Sequence, residues 1–165
     1  MKSLKHFLTI YLMFMFCTNM MSQSTKANQV CKPLKKINAK NKTMETSQKN
    51  VLGTNLVLAS KDPLTGYFRT GFCSTDRNDA GMHVVAAILT DEFLKYSLSK
   101  GNDLISPNPD SGFPGLKAGN VWCLCALRWK EAYDAGVAPK VILEATNIKA
   151  LEFIDIKILN KMAAL

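Results

Sequence analysis

HVVAAILT, residues 83–90, is the stretch that decides the fold of this 165-residue chain. It is short, almost wholly apolar and partly β-branched, which is typical of a strand buried on both faces of a sheet. Thr90 is suited to cap a following helix, and the two acidic residues after it favour the positive helix end. Leu94 and Leu98 then stand four residues apart, and Gly101 is placed to end the helix in a left-handed conformation. The sequence therefore predicts a buried strand followed by a helix.

A second helix is predicted further along the chain. Trp122, Ala126, Trp129 and Tyr133 are spaced as i, i+4, i+7 and i+11, which places them on one helical face. Gly136 follows as a stop signal. This spacing predicts a helix that begins near Trp122.

The C-terminal part predicts another strand and a last helix. VILEAT, residues 141–146, is a second candidate for a buried strand. Asn147 is suited to cap a short helical turn, and Asp155 is suited to open a helix that carries Ile158 and Met162.

The region before residue 83 predicts extended and turn structure. Residues 50–60 predict a short strand or an extended lead-in, and DPLTG at residues 62–66 has the composition of a tight turn. With these elements in order, we expect a single α+β domain over residues 50–165. It would be a small sheet with helices packed on it, with a mixed α/β arrangement as the alternative.

The net charge of +8 lies outside this domain. Two lysines in residues 1–22 contribute +2, and seven lysines against one glutamate in residues 23–49 contribute +6. Residues 50–165 hold 12 basic and 12 acidic residues and are neutral. Because a nucleic-acid-binding fold carries its basic patch on the folded surface, we expect no nucleic-acid partner. Residues 24–49 predict a basic, solvated flexible linker, with weak attraction of its lysines to a membrane surface as the alternative.

The first 23 residues have the pattern of a secretory signal peptide. Lys2 and Lys5 precede the apolar run of residues 7–16, and small residues at 22–24 offer a cleavage site. That run is short beside the about 20 residues that a membrane-spanning helix needs. We therefore expect an exported protein, periplasmic or secreted. A start at Met44 would instead make the protein cytoplasmic.

Four cysteines remain once Cys17 is removed with the predicted signal peptide: Cys31, Cys73, Cys123 and Cys125. An even number permits disulfides in an oxidising compartment, but the sequence does not determine their connectivity. Because Cys31 lies in the linker, at least one of the three domain thiols is free or paired outside the domain.

Cys123 and Cys125 are separated by one residue, and their chemistry depends on the local structure. In a helix the two thiols stand about 200° apart and cannot share one metal ion. At a strand end they share a face and could chelate or react together. Two further alternatives are burial as small apolar side chains and a structural disulfide.

His83 is the one histidine in residues 50–165, which excludes a multi-histidine metal site. The catalytic hypothesis pairs His83 as a general base with Cys73, the nearest thiol in sequence, or uses Cys123. The alternative is a strand-end histidine that a backbone partner satisfies.

The sequence contains no complete metal-binding or cofactor-binding motif. Asp76, Asn78 and Asp79 before Gly81 lack the remaining ligands of a calcium loop and predict a polar turn. The chain contains no P-loop, dinucleotide fingerprint or serine-hydrolase elbow. The sequence therefore predicts no metal and leaves any cofactor unknown.

The segment of residues 102–119 is rich in Pro, Gly, Asn and Asp. A loop of this length inside a small domain is unusual and is often functional. We expect it to line a site for a small ligand or another protein, although it could instead be a structural loop fixed by Phe113 and Leu116. The candidate binding residues are Arg69, Asn102, Asp103 and Trp122.

An ordered set of motifs carries a family resemblance across residues 50–165. The motifs are NVLG (50–53), DPLTGYFR (62–69), GNDL (101–104), FPGLK (113–117), WCLCA (122–126), RW (128–129), EA (131–132), AGVAP (135–139) and LEAT (143–146). Together they resemble the bacterial family catalogued as domain of unknown function 2237. The resemblance implies no particular activity.

The departures from the family pattern bear on thiol chemistry. The resemblance implies cysteine at the positions of Ala59, Phe72 and Ala86, aspartate at Thr70 and histidine at Asn147. Loss of thiols suits a copy moved to an oxidising compartment, where spare cysteines risk mispairing. An exported binding module is therefore the leading hypothesis, and a Cys/His enzyme and a metal-binding structural domain are the alternatives.

Overall fold

The computed structural model describes residues 48–165. The predicted signal peptide (1–23) and all but the end of the predicted linker (24–49) lie outside the described residues, as do Cys31 and Met44. No helix in the described part is long and apolar enough to cross a bilayer. The regular elements are β1 His83–Ile88, α1 Asp91–Ser99, β2 Val121–Cys125, α2 Ala126–Asp134, β3 Lys140–Val141 and α3 Ile156–Lys161. Short 3₁₀ turns cover Pro109–Ser111, Leu143–Ala145 and Ile148–Glu152.

The three strands form one antiparallel sheet in the order β2-β1-β3. β1 is central, with Ala87 opposite Trp122 on one side and opposite Val141 on the other. The four inner residues of β1 are buried. The predicted buried strand and the predicted α+β class, a small sheet with helices, are confirmed.

Helix α1 starts and ends as the sequence predicts. The Thr90 hydroxyl accepts a hydrogen bond from the backbone N–H of Phe93 at 3.2 Å, which satisfies one of the unpaired donors of the first turn. Gly101 takes a left-handed conformation with φ of 76° just after the helix. The helix buries Phe93 and Leu94, whereas Leu98 is exposed.

The predicted start of the second helix at Trp122 is wrong. Residues 121–125 form strand β2, and α2 begins only at Ala126. Pairing with β1 gives the backbone of these residues a ladder of hydrogen-bond partners, and Cys125 stands opposite His83 at its end. The helical part of the prediction holds for Trp129 and Tyr133, whose rings stack in α2 with centroids 5.6 Å apart.

The predicted strand over residues 141–146 is also too long, since only Lys140–Val141 pairs as β3. Beyond it, the N–H groups of Ile142 and Asn147 still donate to carbonyls of β1. Between them the Thr146 hydroxyl accepts from the Ala86 N–H at 3.2 Å and donates to the Ile142 carbonyl at 2.8 Å. The two predicted caps are confirmed. Asn147 accepts from Lys149 N–H at 3.0 Å, and Asp155 accepts from Lys157 N–H at 2.8 Å.

The core joins β1 to all three helices. Its largest fully buried side chains include Trp129, Phe93, Leu89, Ile154, Leu159, Val84, Val85 and Val141. Apart from Ile154, which lies just before the last helix, these residues come from both predicted buried strands and from the three longer predicted helices. Burial along the chain therefore follows the apolar pattern of the sequence.

Asn50 anchors the N-terminal lead-in, and we expect its replacement by alanine to destabilise the domain by about 2–3 kcal/mol. Its side chain is fully buried; Oδ1 accepts from the N–H groups of Leu52 and Thr54, and Nδ2 donates to the Glu144 carbonyl at 3.0 Å. Alanine would leave the Leu52 and Thr54 N–H groups without this acceptor and would remove one of two donors to the Glu144 carbonyl. Urea unfolding measures the loss, and Asn55→Ala is the matched control because the Asn55 side chain bonds an exposed residue, Lys49, at 2.7 Å. An equal loss in both variants would contradict the prediction.

Candidate functional site

A cavity of about 570 Å³ lies beside strand β2. Its volume is within the range of about 300–1,000 Å³ that is usual for small-ligand sites. The lining residues come from β2, the start of α2, the start of β1, the 62–73 segment and the 101–113 segment. They include Arg69, His83, Asn102, Asp103, Leu104, Phe113, Trp122, Cys123, Leu124, Cys125 and Arg128. We call this space the β2 cavity. All four predicted binding residues, together with His83 and Cys123, line it, whereas Cys73 is not among its lining residues.

Arg69 supplies a partly buried positive charge to the β2 cavity. Its guanidinium carbon lies 4.7 Å from the centroid of the Trp122 ring, a cation–π arrangement. Its hydrogen bond is a long one, 3.5 Å from Nη1 to the Leu64 carbonyl. No carboxylate of the described residues forms an ion pair with it. Burial lowers the pKa of Arg69, since the charged form is less well solvated than in water.

The backbone at Arg69 adopts a left-handed conformation with φ of 55°. An arginine gains nothing locally from this region, which costs about 1–3 kcal/mol for a residue other than glycine. Such conformations persist where the surroundings impose them, and they concentrate at functional sites. The position of the guanidinium over Trp122 is therefore accompanied by an unfavourable backbone conformation at residue 69.

Arg128 brings a second guanidinium to the cavity from the first turn of α2. Its side chain is 12% exposed, and Nη1 donates to Oε2 of Glu131 at 3.1 Å. Helix α2 has no side-chain cap at Cys125 and no acidic residue in its first turn. The first helical N–H, that of Ala126, instead donates to the Met82 carbonyl at 3.0 Å.

Aromatic and aliphatic side chains form the rest of the wall. The Phe113 ring meets the Trp122 ring edge to face, with centroids 5.7 Å apart. Leu104 and Leu124 add aliphatic surface, and the buried Leu116 fixes the loop by donating its N–H to the Leu104 carbonyl at 2.8 Å. The long loop is thus both fixed by Phe113 and Leu116 and part of the cavity wall.

The side chains of Asn102 and Asp103 are hydrogen-bonded within the loop at the rim of the cavity. Asn102 Nδ2 donates to the Ser97 hydroxyl at 2.9 Å, and that hydroxyl donates to the Asn102 carbonyl at 2.7 Å. Asp103 Oδ1 accepts from the backbone N–H groups of Ser106 and Ile105. Hydrogen bonds from Ser106, and then from Ile105, lower the pKa of Asp103. These two residues hold the loop in its turn.

His83 is held by Asp79, a residue that the sequence indicated only as part of a polar turn. Nδ1 of His83 lies 2.6 Å from Oδ1 of Asp79, whose side chain is completely buried. Oδ2 of Asp79 accepts from the His83 backbone N–H at 2.8 Å and from the Thr75 hydroxyl at 3.0 Å. Burial opposes ionisation of Asp79, but the bonds and charge of His83, with the Thr75 bond, together lower its pKa. A carboxylate four residues before the one histidine of the domain is the sequence signal that would have indicated this pair.

Cys73 and Cys123 are joined by a disulfide across 50 residues of sequence. It is packed among Ala86, Ala145 and Ala59, and two of these, Ala59 and Ala86, stand where the family resemblance implies cysteine. As a disulfide, Cys73 has no thiol to deprotonate, so a Cys73–His83 nucleophile and base would first require reduction. Within residues 48–165 no group of three His, Cys, Asp or Glu side chains is placed to hold a metal ion.

The site and fold define a small α+β domain with a ligand-sized cavity beside its edge strand. The chain belongs to the family described as "Uncharacterized protein conserved in bacteria (DUF2237)", which matches residues 49–163. No curated protein matches the chain. The family resemblance stated from the sequence motifs is confirmed, and the family description carries no activity.

Proposed function

We propose that the domain binds a small organic anion in the β2 cavity, with Arg69 as the principal charge partner. The observation that carries this proposal is a partly buried guanidinium, held over Trp122 in a left-handed backbone, with no ion-pair partner among the described carboxylates. A buried charge is costly unless it is paired. A carboxylate or phosphate group on a ligand would supply that pairing through two parallel hydrogen bonds.

The remaining walls favour a flat apolar body behind the anionic group. Trp122 and Phe113 present ring surface, and Leu104 and Leu124 add aliphatic surface. Apolar walls with a few placed polar groups are the usual composition of small-molecule sites. An aromatic or alicyclic acid therefore fits better than a bare inorganic ion, which would leave most of the cavity unfilled.

We also infer that the protein works outside the cytoplasm. Support comes from the charged and apolar start of the chain and from the Cys73–Cys123 disulfide, since disulfides persist in oxidising compartments. The neutral charge of residues 50–165 argues against a nucleic-acid partner.

Acids are expected to bind and their neutral counterparts are not. In calorimetric titrations, benzoate, phenylacetate and phenyl phosphate should bind with Kd of about 1 mM or tighter, as expected for fragments of this size. Benzamide and phenylacetamide should show no measurable binding. Replacing Arg69 by glutamine should weaken the acids about 10–100-fold, the usual worth of a charged hydrogen-bonded pair.

Arg77→Gln is the matched control, because Arg77 is an exposed arginine outside the cavity. It should leave every Kd unchanged, whereas Arg69→Lys should fall between wild type and Arg69→Gln. Equal binding of acids and amides would overturn the proposal, and so would an equal effect of the two glutamine variants.

A further inference from the structure

His83 lies in the β2 cavity with its ring orientation fixed by Asp79 and Tyr67. Asp79 holds Nδ1, the Tyr67 ring stacks beside it with centroids 6.1 Å apart and planes inclined by 13°, and the backbone N–H of residue 83 is bound to the same carboxylate. The side chain is 21% exposed, so one side of the ring is accessible. The ring therefore contributes a defined atom, not a mobile group, to the cavity.

The local backbone is built around that ring. Met82, just before it, has a positive φ of 47°, and a β-bulge interrupts the pairing of β1 with β2 between His83 and Val85. A bulge redirects the side chains next to it. At Gly81 an added Cβ would lie 2.4 Å from Cε1 of His83, so only glycine leaves room for the ring. The positive φ of Met82, the β-bulge and Gly81 thus together determine the position of the His83 imidazole.

The carboxylate determines which nitrogen of the ring carries the proton. An ionised carboxylate accepts hydrogen bonds and donates none, so the 2.6 Å contact requires a hydrogen on Nδ1. In the neutral imidazole the other nitrogen, Nε2, then has a lone pair and no hydrogen. Among residues 48–165 the hydrogen bond of the His83 ring is the one from Nδ1 to Asp79, and none is made to Nε2.

We propose that Nε2 of His83 is the second recognition atom of the β2 cavity, a hydrogen-bond acceptor that selects organic acids carrying an O–H or N–H group. This inference rests on the proposed function, since Arg69 supplies the site for the acid group. His83 adds the requirement for a donor elsewhere on the same ligand. The ligand class is then a hydroxylated or N–H-bearing aromatic or alicyclic acid. Asp79 is a positioning residue, which acts by holding the ring.

The first test reads the ring directly and needs no ligand. Nitrogen-15 correlation spectra of the wild-type protein should show Nδ1 protonated and Nε2 unprotonated in the neutral ring. In Asp79→Asn a single amide oxygen replaces two carboxylate acceptors, so the spectra should shift toward a mixture of the two tautomers. A neutral wild-type ring protonated on Nε2 would overturn the inference.

The second test compares matched ligands by titration calorimetry. The probes are the three hydroxyphenylacetate isomers, the three methoxyphenylacetate isomers and phenylacetate itself. At least one hydroxy isomer should bind about tenfold more tightly than both its methoxy counterpart and phenylacetate, the usual worth of one added hydrogen bond. Comparison with phenylacetate separates the gain of a donor from the bulk of the methyl group.

His83→Asn provides the matched variant. The Asn side-chain N–H₂ can still donate to Asp79 from the position of Nδ1, but no atom of it reaches the position of Nε2. The tenfold preference should vanish, read as the ratio of the phenylacetate Kd to the hydroxy-isomer Kd measured within this variant. Gly81→Ala, which displaces the ring without changing its chemistry, should reduce the preference in the same way and serves if His83→Asn does not fold.

The outcomes separate the two proposals. Equal binding of hydroxy, methoxy and unsubstituted acids, or a preference that persists in His83→Asn, overturns the role of His83 and leaves acid binding by Arg69 in place. Failure of every acid to bind overturns both.

Discussion

Reduction of the Cys73–Cys123 disulfide is expected to lower the free energy of unfolding by about 4 kcal/mol, because the bond closes a loop of 50 residues. In the chain-entropy account, a crosslink of that span removes many conformations from the unfolded state. For a domain of this size the loss corresponds to a fall in Tm of about 10–15 °C. Thermal unfolding with and without a phosphine reductant measures it, with thiol titration to verify that the bond has opened.

Two cysteine variants separate loss of the crosslink from loss of a buried sulfur. The double variant Cys73→Ala/Cys123→Ala should unfold near the temperature of the reduced wild type and should not respond to reductant. Cys125→Ala removes a buried cysteine that lies outside this disulfide, so it should keep the response to reductant. If the thiols of the wild type appear in the titration without a fall in Tm, the prediction is wrong.

Replacement of Trp129 by alanine is expected to destabilise the domain by about 3–5 kcal/mol. The side chain is completely buried in α2, its ring stacks on Tyr133, and Nε1 donates to the Pro139 carbonyl at 3.0 Å. Alanine would leave a large cavity in the core and a buried carbonyl without its donor. Since small domains are stable by about 5–15 kcal/mol in total, this one change removes a large fraction, and the urea midpoint should fall accordingly.

Leu127→Ala on the same helix is the control, since Leu127 is 44% exposed. Its effect should stay below about 1 kcal/mol. Trp129→Phe preserves an aromatic ring and removes the donor, so it should cost about 1–3 kcal/mol. An alanine variant as stable as Trp129→Phe would show that the cavity contributes little and would contradict the prediction.

Local rules account for the parts of the fold that the sequence predicted. The caps by Thr90, Asn147 and Asp155 depend on a side chain and a backbone N–H two or three residues away. The continuous apolar pattern of β1 likewise reports burial on both faces. Each signal lies within a few residues of the element it predicts.

The errors occurred where distant partners decide the structure. Trp122 fits the helical period of Trp129, yet its backbone pairs with Ala87, 35 positions earlier in the chain. The second strand is shortened because the Thr146 hydroxyl takes the place of a ladder partner for β1. Periodicity along one segment does not encode which segment lies beside it.

The candidate site shows the same difference between local sequence signals and contacts between distant residues. The sequence indicates Arg69, Trp122 and His83 as separate candidates, but only the fold brings them to one cavity. Asp79 was missed because its burial depends on the path of the 75–83 turn around the histidine ring. The pairing of Cys73 with Cys123 was open among the domain cysteines until the strand fixed the position of Cys123.

The segment that carries Arg69 also protects the sheet. Edge strands expose backbone groups that recruit strands of other molecules and promote aggregation. On β2, the Cys123 N–H donates to the buried Thr65 hydroxyl at 2.8 Å. On β3, Val141 exchanges backbone hydrogen bonds with Met162 and Ala164 of the C-terminal segment. A deletion or proteolytic cut in the 62–73 segment would therefore expose backbone groups of edge strand β2 and also displace Arg69. We expect such a change to cause aggregation together with loss of ligand binding.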